Sequence, residues 1–157
     1  MAEDLTHLDD EGHVRMVDVG AKEPTDRSAV AEATVLMSPA TRDRLFGGDL
    51  PKGDALATVR LAAIQGAKRT PDLVPLAHPL PIDAITAAVE PIDGGAKITV
   101  TASVTAKTGV EMEAITGAAI GAIALYDMIK GVDRGAEITA IRLLEKRGGK
   151  SGDWSRD

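Results

Sequence analysis

The chain contains no cysteine among its 157 residues. Disulfides and thiolate metal sites are therefore excluded, and the composition fits a reducing compartment. Aromatic residues are almost missing: Phe46, Tyr126 and Trp154 are the whole set. The core must be assembled from Ala, Val, Ile, Leu and Met, and small side chains bury less area each. Close helix packing, or association between copies, is expected to supplement it. No run approaches the roughly 20 apolar residues of a membrane span. The acidic stretch from Met1 to Asp10 lacks the apolar segment of a signal peptide, so a cytoplasmic location is expected. The net charge of -6 leaves no broad basic face for nucleic acid or an anionic membrane. A local basic pocket for one phosphorylated small molecule is compatible with it.

With 44 % hydrophobic and 27 % charged residues, the chain reads as one soluble domain over 1–157, with 1–15 and 148–157 as flexible arms. Residues 1–27 are polar and punctuated, an extended or partly ordered arm. Ala29 to Met37 has the length and apolar character of a strand. Ser38 as N-cap, Pro39 as first helical residue and the Gly47-Gly48 stop predict a short helix over 38–46. Asp54 caps a second helix, Ala55 to Lys68, whose Leu56, Val59, Ala63 and Ala67 recur at helical spacing. Pro71, Pro75, Pro79 and Pro81 predict a rigid loop. Ile82 to Glu90 and Lys97 to Ala106 read as strands joined by Asp93-Gly94-Gly95. A long helix is expected from Thr108 or Gly109 to Gly131, then a last strand from Glu137 to Glu145 and a loop-like tail. With one extra helix, this order is an α+β, ferredoxin-like split βαβ plan: an antiparallel sheet with helices packed on one face.

Several residues stand out as candidates for chemistry. Lys52 lies in a Gly/Pro loop just before a helix start, where it reads either as a solvated lysine or as a phosphate ligand and general acid. His78, flanked by prolines in Pro75-Leu76-Ala77-His78-Pro79, is either loop scaffolding or a ligand-binding, proton-transferring imidazole. His7 and His13 lie in the polar arm and look less constrained; three scattered histidines make no spaced metal motif. Glu111 and Glu113 fall in the first turn of the long helix, where they either complement its dipole or face a ligand approaching over Lys107-Thr108-Gly109. Asp127 and Lys130 share a helix face three residues apart. They form either a surface ion pair or a carboxylate tuning a catalytic lysine. Gly149-Lys150-Ser151 is no P-loop: the first glycine of that motif would fall at Leu144 and no helix follows. The tail is either frayed or a basic loop over phosphates.

Spacing adds a constraint. Glu113 and Asp127 are separated by roughly 21 Å along a straight helix at about 1.5 Å per residue. A nucleotide-sized ligand hardly touches both in one chain. Either the helix breaks, or one site combines two subunits. Gly117 and Gly121 lower one helix face, which suits close approach of another helix and so the two-subunit arrangement; the same glycines also permit a kink.

Taken together, Pro51-Lys52-Gly53-Asp54, Ala67-Lys68-Arg69-Thr70, Leu73 to Leu80, Thr108 to Ala114, Tyr126 to Lys130 and Gly148 to Gly152 make a sequence that resembles the cyclic pyranopterin monophosphate synthase family of molybdenum cofactor biosynthesis. The resemblance runs from Leu5-Thr6-His7 and Met16-Val17-Asp18-Val19 to Trp154. It implies conversion of 3′,8-cyclo-7,8-dihydroguanosine 5′-triphosphate, supplied by an upstream radical GTP cyclase, to cyclic pyranopterin monophosphate with release of diphosphate. The family's catalytic positions match Lys52, Asp127 and Lys130. Its substrate-contacting positions match Leu76, Ala77, His78, Met112 and Glu113, with Glu111, Arg27, Lys68, Arg69, Lys146 and Lys150 as further candidates for the triphosphate or base. It also implies a hexamer, a trimer of dimers, with sites at the dimer interface.

The residue types suit that chemistry. Rebuilding a purine-derived ring needs proton shuttles, which two lysines and an aspartate supply. A lysine among other cations is expected to have a lowered pKa. Departure of diphosphate needs cations to stabilise its charge. No protein-bound cofactor or metal is expected; a divalent ion on the triphosphate needs no protein motif. One departure from the family is Ala77, where cysteine is common; contact there is expected to be largely through the backbone. A non-catalytic nucleotide-binding or regulatory domain on the same fold is expected to lose Lys52, Asp127 or Lys130, and all three are present. An RNA-binding ferredoxin-like module needs sheet aromatics and a basic surface, which this chain lacks.

Overall fold

The computed structural model describes residues 6–157; of the motifs above, only Leu5 and the acidic residues before it lie outside that range. The elements run β1 (Thr25–Leu36), α1 (Pro39–Gly47), α2 (Ala55–Lys68), α3 (Thr70–Leu73), β2 (Ala84–Ile92), β3 (Gly95–Ala106), α4 (Glu111–Ile129), β4 (Glu137–Arg147) and β5 (Trp154–Ser155). The strands form one sheet in the order β2-β3-β1-β4-β5, every pairing antiparallel. Without the short β5, this is the strand order of the split βαβ plan.

Local chemistry accounts for most boundaries. Ser38 caps α1 by accepting from the Thr41 N–H, and Gly48 ends it at φ 74°. Asp54 caps α2 by accepting from the Ala57 N–H. Asp93 and Gly94 turn β2 into β3, with Ile92 paired to Gly95 and Gly94 at positive φ. α4 has no side-chain cap at its start, where Val110 stands.

Several boundaries differ from the sequence reading: β2 and β3 run up to the Asp93-Gly94 turn, α4 covers only Glu111–Ile129, and β4 continues to Arg147. β1 begins at Thr25, four residues early, because Thr25–Ser28 pair with Ser103–Ala106 of β3. Pro71 sits in the first turn of α3, the one helical position that tolerates a missing N–H, so a single turn interrupts the expected loop. The tail returns as β5, which pairs Trp154 with Lys146 at the sheet edge.

One face of the sheet carries the core. Ala29, Ala31, Ala33 and Val35 of β1 alternate inward, as do Ile98, Val100, Ala102 and Val104 of β3, against Ala114, Ala118, Ala122, Leu125 and Ile129 of α4. Each fully buried Leu, Ile or Val contributes about 2 kcal/mol; the alanines contribute by letting backbones come close. α4 is long and apolar enough to cross a membrane by length and composition, yet most of it is buried between the sheet and α2.

The helix glycines serve this packing, which corrects their assignment to a subunit contact. A Cβ on Gly117 would lie 2.9 Å from the Ala63 carbonyl and 3.1 Å from Val100 Cγ1, and one on Gly121 would lie 3.2 Å from Ala63 Cβ. Gly66 of α2 answers them, since a Cβ there would lie 2.6 Å from Ile120 Cβ. These glycines join α2 to α4 within one chain.

Candidate active site

Lys52 comes from the turn between α1 and α2, and Asp127 and Lys130 from the end of α4. The Asp127 carboxylate bridges both lysines: Lys130 Nζ lies 2.8 Å from Oδ1 and Lys52 Nζ 3.0 Å from Oδ2. Lys52 also donates to the Asp127 backbone carbonyl at 2.7 Å. All three side chains are roughly half exposed. The hydrogen bonds from Lys130 and then Lys52 hold the Asp127 carboxyl below the usual aspartate range. Asp127 in turn holds the Lys130 ammonium above its ordinary value. The expected lowering of a lysine pKa is thus reversed at Lys130, because its nearest charge is a carboxylate rather than another cation.

The other end of α4 borders a cavity of about 460 Å³. Leu76, Ala77 and His78 form one wall, and Glu111, Met112 and Glu113, with Thr108 and Gly109, form another. The first wall leaves α3 through a turn that the Ala77 N–H closes on the Val74 carbonyl at 3.1 Å, and continues through Pro79 and Pro81 without helix or strand. His78 Nε2 lies 2.8 Å from the Val17 carbonyl, an acceptor, so Nε2 carries the proton. Glu113 is buried. Burial lifts its carboxyl above the ordinary glutamate value, and the charge of Glu111 adds to the effect.

The outlying candidates are more dispersed. Lys68 lines a neighbouring cleft with Leu80 and Asp83, and Arg69 is exposed at the end of α2. Lys146 pairs opposite Ala29, which places it on the helix-bearing face, and its Nζ meets the Ser151 hydroxyl. Lys150 is exposed in the tail turn. Arg27 is half-buried and donates to the carbonyls of Ala106 and Lys107. Among the described residues no group of three or more His, Asp and Glu is placed to hold a metal ion.

Two charged clusters therefore stand at opposite ends of one helix. Residues 16–149, which contain both, match the model of the MoaC family. The chain belongs to the MoaC family. Its relatives include proteins called cyclic pyranopterin monophosphate synthase. That of Streptomyces avermitilis is 52 % identical over 97 % of this chain and 89 % of its own length. That of Roseiflexus sp. is 52 % identical over 98 % and 99 %, and that of Brucella ovis 48 % identical over 99 % and 95 %.

In this MoaC-family chain the N-terminal arm supplies cavity residues that sequence reasoning left out: Thr6, His7, Val17, Val19 and Lys22. His7, less constrained than His78 in the sequence reading, lies within hydrogen-bond reach of the Arg15 carbonyl. Val17 contributes through its carbonyl, which leaves no mark on side-chain pattern. The family resemblance, which runs through Leu5-Thr6-His7 and Met16–Val19, is the signal that reaches this arm.

Proposed function

We infer that this chain is a cyclic pyranopterin monophosphate synthase, converting 3′,8-cyclo-7,8-dihydroguanosine 5′-triphosphate to cyclic pyranopterin monophosphate and diphosphate. Family membership and relatives of that name at about half identity support the reaction. The observation that carries the chemistry is the Lys52–Asp127–Lys130 bridge. One carboxylate between two ammonium groups is a proton relay with cations on both sides, suited to ring opening and closure and to a departing diphosphate. Lys52, Asp127 and Lys130 are assigned the catalytic roles. His78, Leu76, Ala77, Glu111, Met112 and Glu113 bind the substrate, Glu113 with a carboxyl poised to exchange protons nearer neutrality. Lys146, Lys150, Lys68 and Arg69 supply positive charge around the triphosphate. The reading needs no protein-bound cofactor, and the triphosphate could itself carry a divalent ion without any protein motif. A cytoplasmic location accords with the lack of cysteine.

The two clusters make one site when two subunits meet along α4. Its outward stripe runs through Met112, Ile115, Ala119 and Ile123 at helical spacing and then turns polar at Asp127 and Lys130. Met112 and Ile123 are 41 % and 56 % exposed, high for apolar residues on a helix. Two such helices crossing antiparallel about a two-fold axis midway between Glu113 and Asp127 bury the stripe and set Asp127 of one level with Glu113 of the other. Positive Lys52 and Lys130 then face the acidic first turn of the partner's helix. Three of these dimers form the hexamer.

Turnover tests the reading. The cyclised GTP intermediate, generated by the upstream radical enzyme, is added to the chain and the oxidised pterin product is detected by fluorescence. Product from the wild type and none from Lys52→Ala is expected; no product from folded wild type would overturn the assignment.

A further inference from the structure

Arg27 invites the same assignment as the other cations, but its surroundings differ. It continues the inward alternation of Ala29, Ala31, Ala33 and Val35 at the end of β1, so it lies on the helix-bearing face below the start of α4. Its Nε donates to the Ala106 carbonyl at 3.1 Å and its Nη2 to the Lys107 carbonyl at 3.2 Å. Those carbonyls begin the Lys107–Val110 loop, whose Thr108 and Gly109 line the cavity. The loop has no proline, and the helix that follows has no side-chain cap. Its geometry must be set from outside, and Arg27 is joined in this by Lys107, which donates to the Gly20 carbonyl at 2.7 Å.

The far side of the guanidinium meets the tail. A Cβ on Gly149 would lie 2.5 Å from Arg27 Nη1, and one on Gly148 would lie 2.3 Å from the Asp26 carbonyl oxygen. Both glycines have positive φ. The turn they open is closed by its own bonds, from the Gly148 N–H to Asp153 Oδ1 and from the Gly152 N–H to the Gly149 carbonyl. It is anchored on β4 by Arg156, which bonds the Leu143 and Leu144 carbonyls and stacks 5.5 Å from the Trp154 ring centre. One internally closed turn and one uncapped loop thus meet at a single side chain.

We propose that Arg27 is a positioning residue: it seats the Lys107–Gly109 wall of the cavity against the Gly148–Gly152 turn, and does not act chiefly as a phosphate ligand. The effect on turnover rests on the synthase reading, whereas the effect on the loop does not. A guanidinium that bridges two carbonyls and a glycine cannot be replaced by a lysine of equal charge.

Hydrogen exchange of the substrate-free protein tests this, with Arg27→Gln and Arg27→Lys compared with wild type. Both substitutions are expected to speed exchange by about 10-fold at Ala114, whose N–H closes the first turn of α4 on the Val110 carbonyl, and at Gly152, whose N–H closes the tail turn on the Gly149 carbonyl, with the β1–β3 ladder and the end of α4 unchanged. In turnover, both raise KM about 10-fold with kcat within about threefold, since substrate must then order the loop; loss of folded protein would lower kcat alone. Wild-type exchange in either folded variant overturns the proposal. So does rescue by lysine, which would make charge the requirement and Arg27 a phosphate ligand while leaving the synthase reading intact. Faster exchange in a chain whose wild type makes no pterin supports the proposal and refutes the synthase reading. Should Arg27→Gln fail to fold, Arg27→Lys alone decides by the same criteria.

Discussion

Lys52 holds Asp127 twice, through the carboxylate at 3.0 Å and through the backbone carbonyl at 2.7 Å. The second bond is independent of the aspartate side chain. It ties the turn before α2 to the last turn of α4, where carbonyls lack helical partners and the dipole favours a cation. The lysine is thereby placed whether or not the carboxylate is charged, and removal of the carboxyl function removes chemistry without removing the anchor.

Asp127→Asn is accordingly expected to fold, with a melting temperature within about 3 °C of the parent. Its turnover should fall by about 10²- to 10³-fold. Calorimetry beside the pterin assay checks both. A large loss of stability would mean that the bridge is structural.

Glu113 gives the pH prediction. Its carboxyl titrates above the ordinary glutamate value because it is buried beside Glu111. The folded state then binds more protons than the unfolded state between the ordinary value and the raised one, so this group's contribution falls as pH rises through that window and stays low above it. Glu113→Gln should therefore stabilise the protein at neutral pH, flatten the decline and abolish turnover. Melting curves from pH 4 to 8 measure it; a destabilised variant with unchanged slope would contradict it. Asp127 has the opposite sign: its depressed pKa favours the folded state above the ordinary aspartate value, and that contribution is lost only as pH falls through the lowered one.

Gly117→Ala tests the packing of α2 on α4. Alanine favours a helix by about 1 kcal/mol over glycine. The added Cβ would nevertheless stand 2.9 Å from the Ala63 carbonyl, so a net loss of about 1–3 kcal/mol is expected in denaturant melts. Unchanged stability with altered oligomeric state would return this glycine to the subunit contact.

Ala77→Cys installs the thiol that the family resemblance implies at this position. Ala77 holds its loop through its backbone, donating to the Val74 carbonyl at 3.1 Å. Turnover is expected to change by less than about twofold; a large gain would show that a thiol takes part.

The fold was legible where one residue type has one local use. Asp54 and Lys68 bound α2 in sequence and in structure, and Ser38, Pro39 and Gly48 bracket α1 as expected. Legibility failed where distant partners decide. Thr25 to Ser28 look like loop until β3 offers them a ladder. Gly117 and Gly121 announce close approach without saying to what, and the structure answers with Ala63. At the candidate site, Lys52 was read from its loop and Asp127 with Lys130 from their spacing, but nothing local joined Lys52 to the other two across 75 residues. Val17 gave no side-chain signal, because its contact with His78 is made by a carbonyl common to every residue.

The shared site is tested by mixing inactive subunits. Asp127→Asn and Glu113→Gln are purified, shown inactive, dissociated together, reassembled and assayed for pterin. If each site takes Asp127 from one subunit and Glu113 from the other, a mixed dimer has one intact site, and an equal mixture recovers about a quarter of wild-type turnover. No recovery from properly assembled mixtures would mean that each chain completes its own site, contradicting the account.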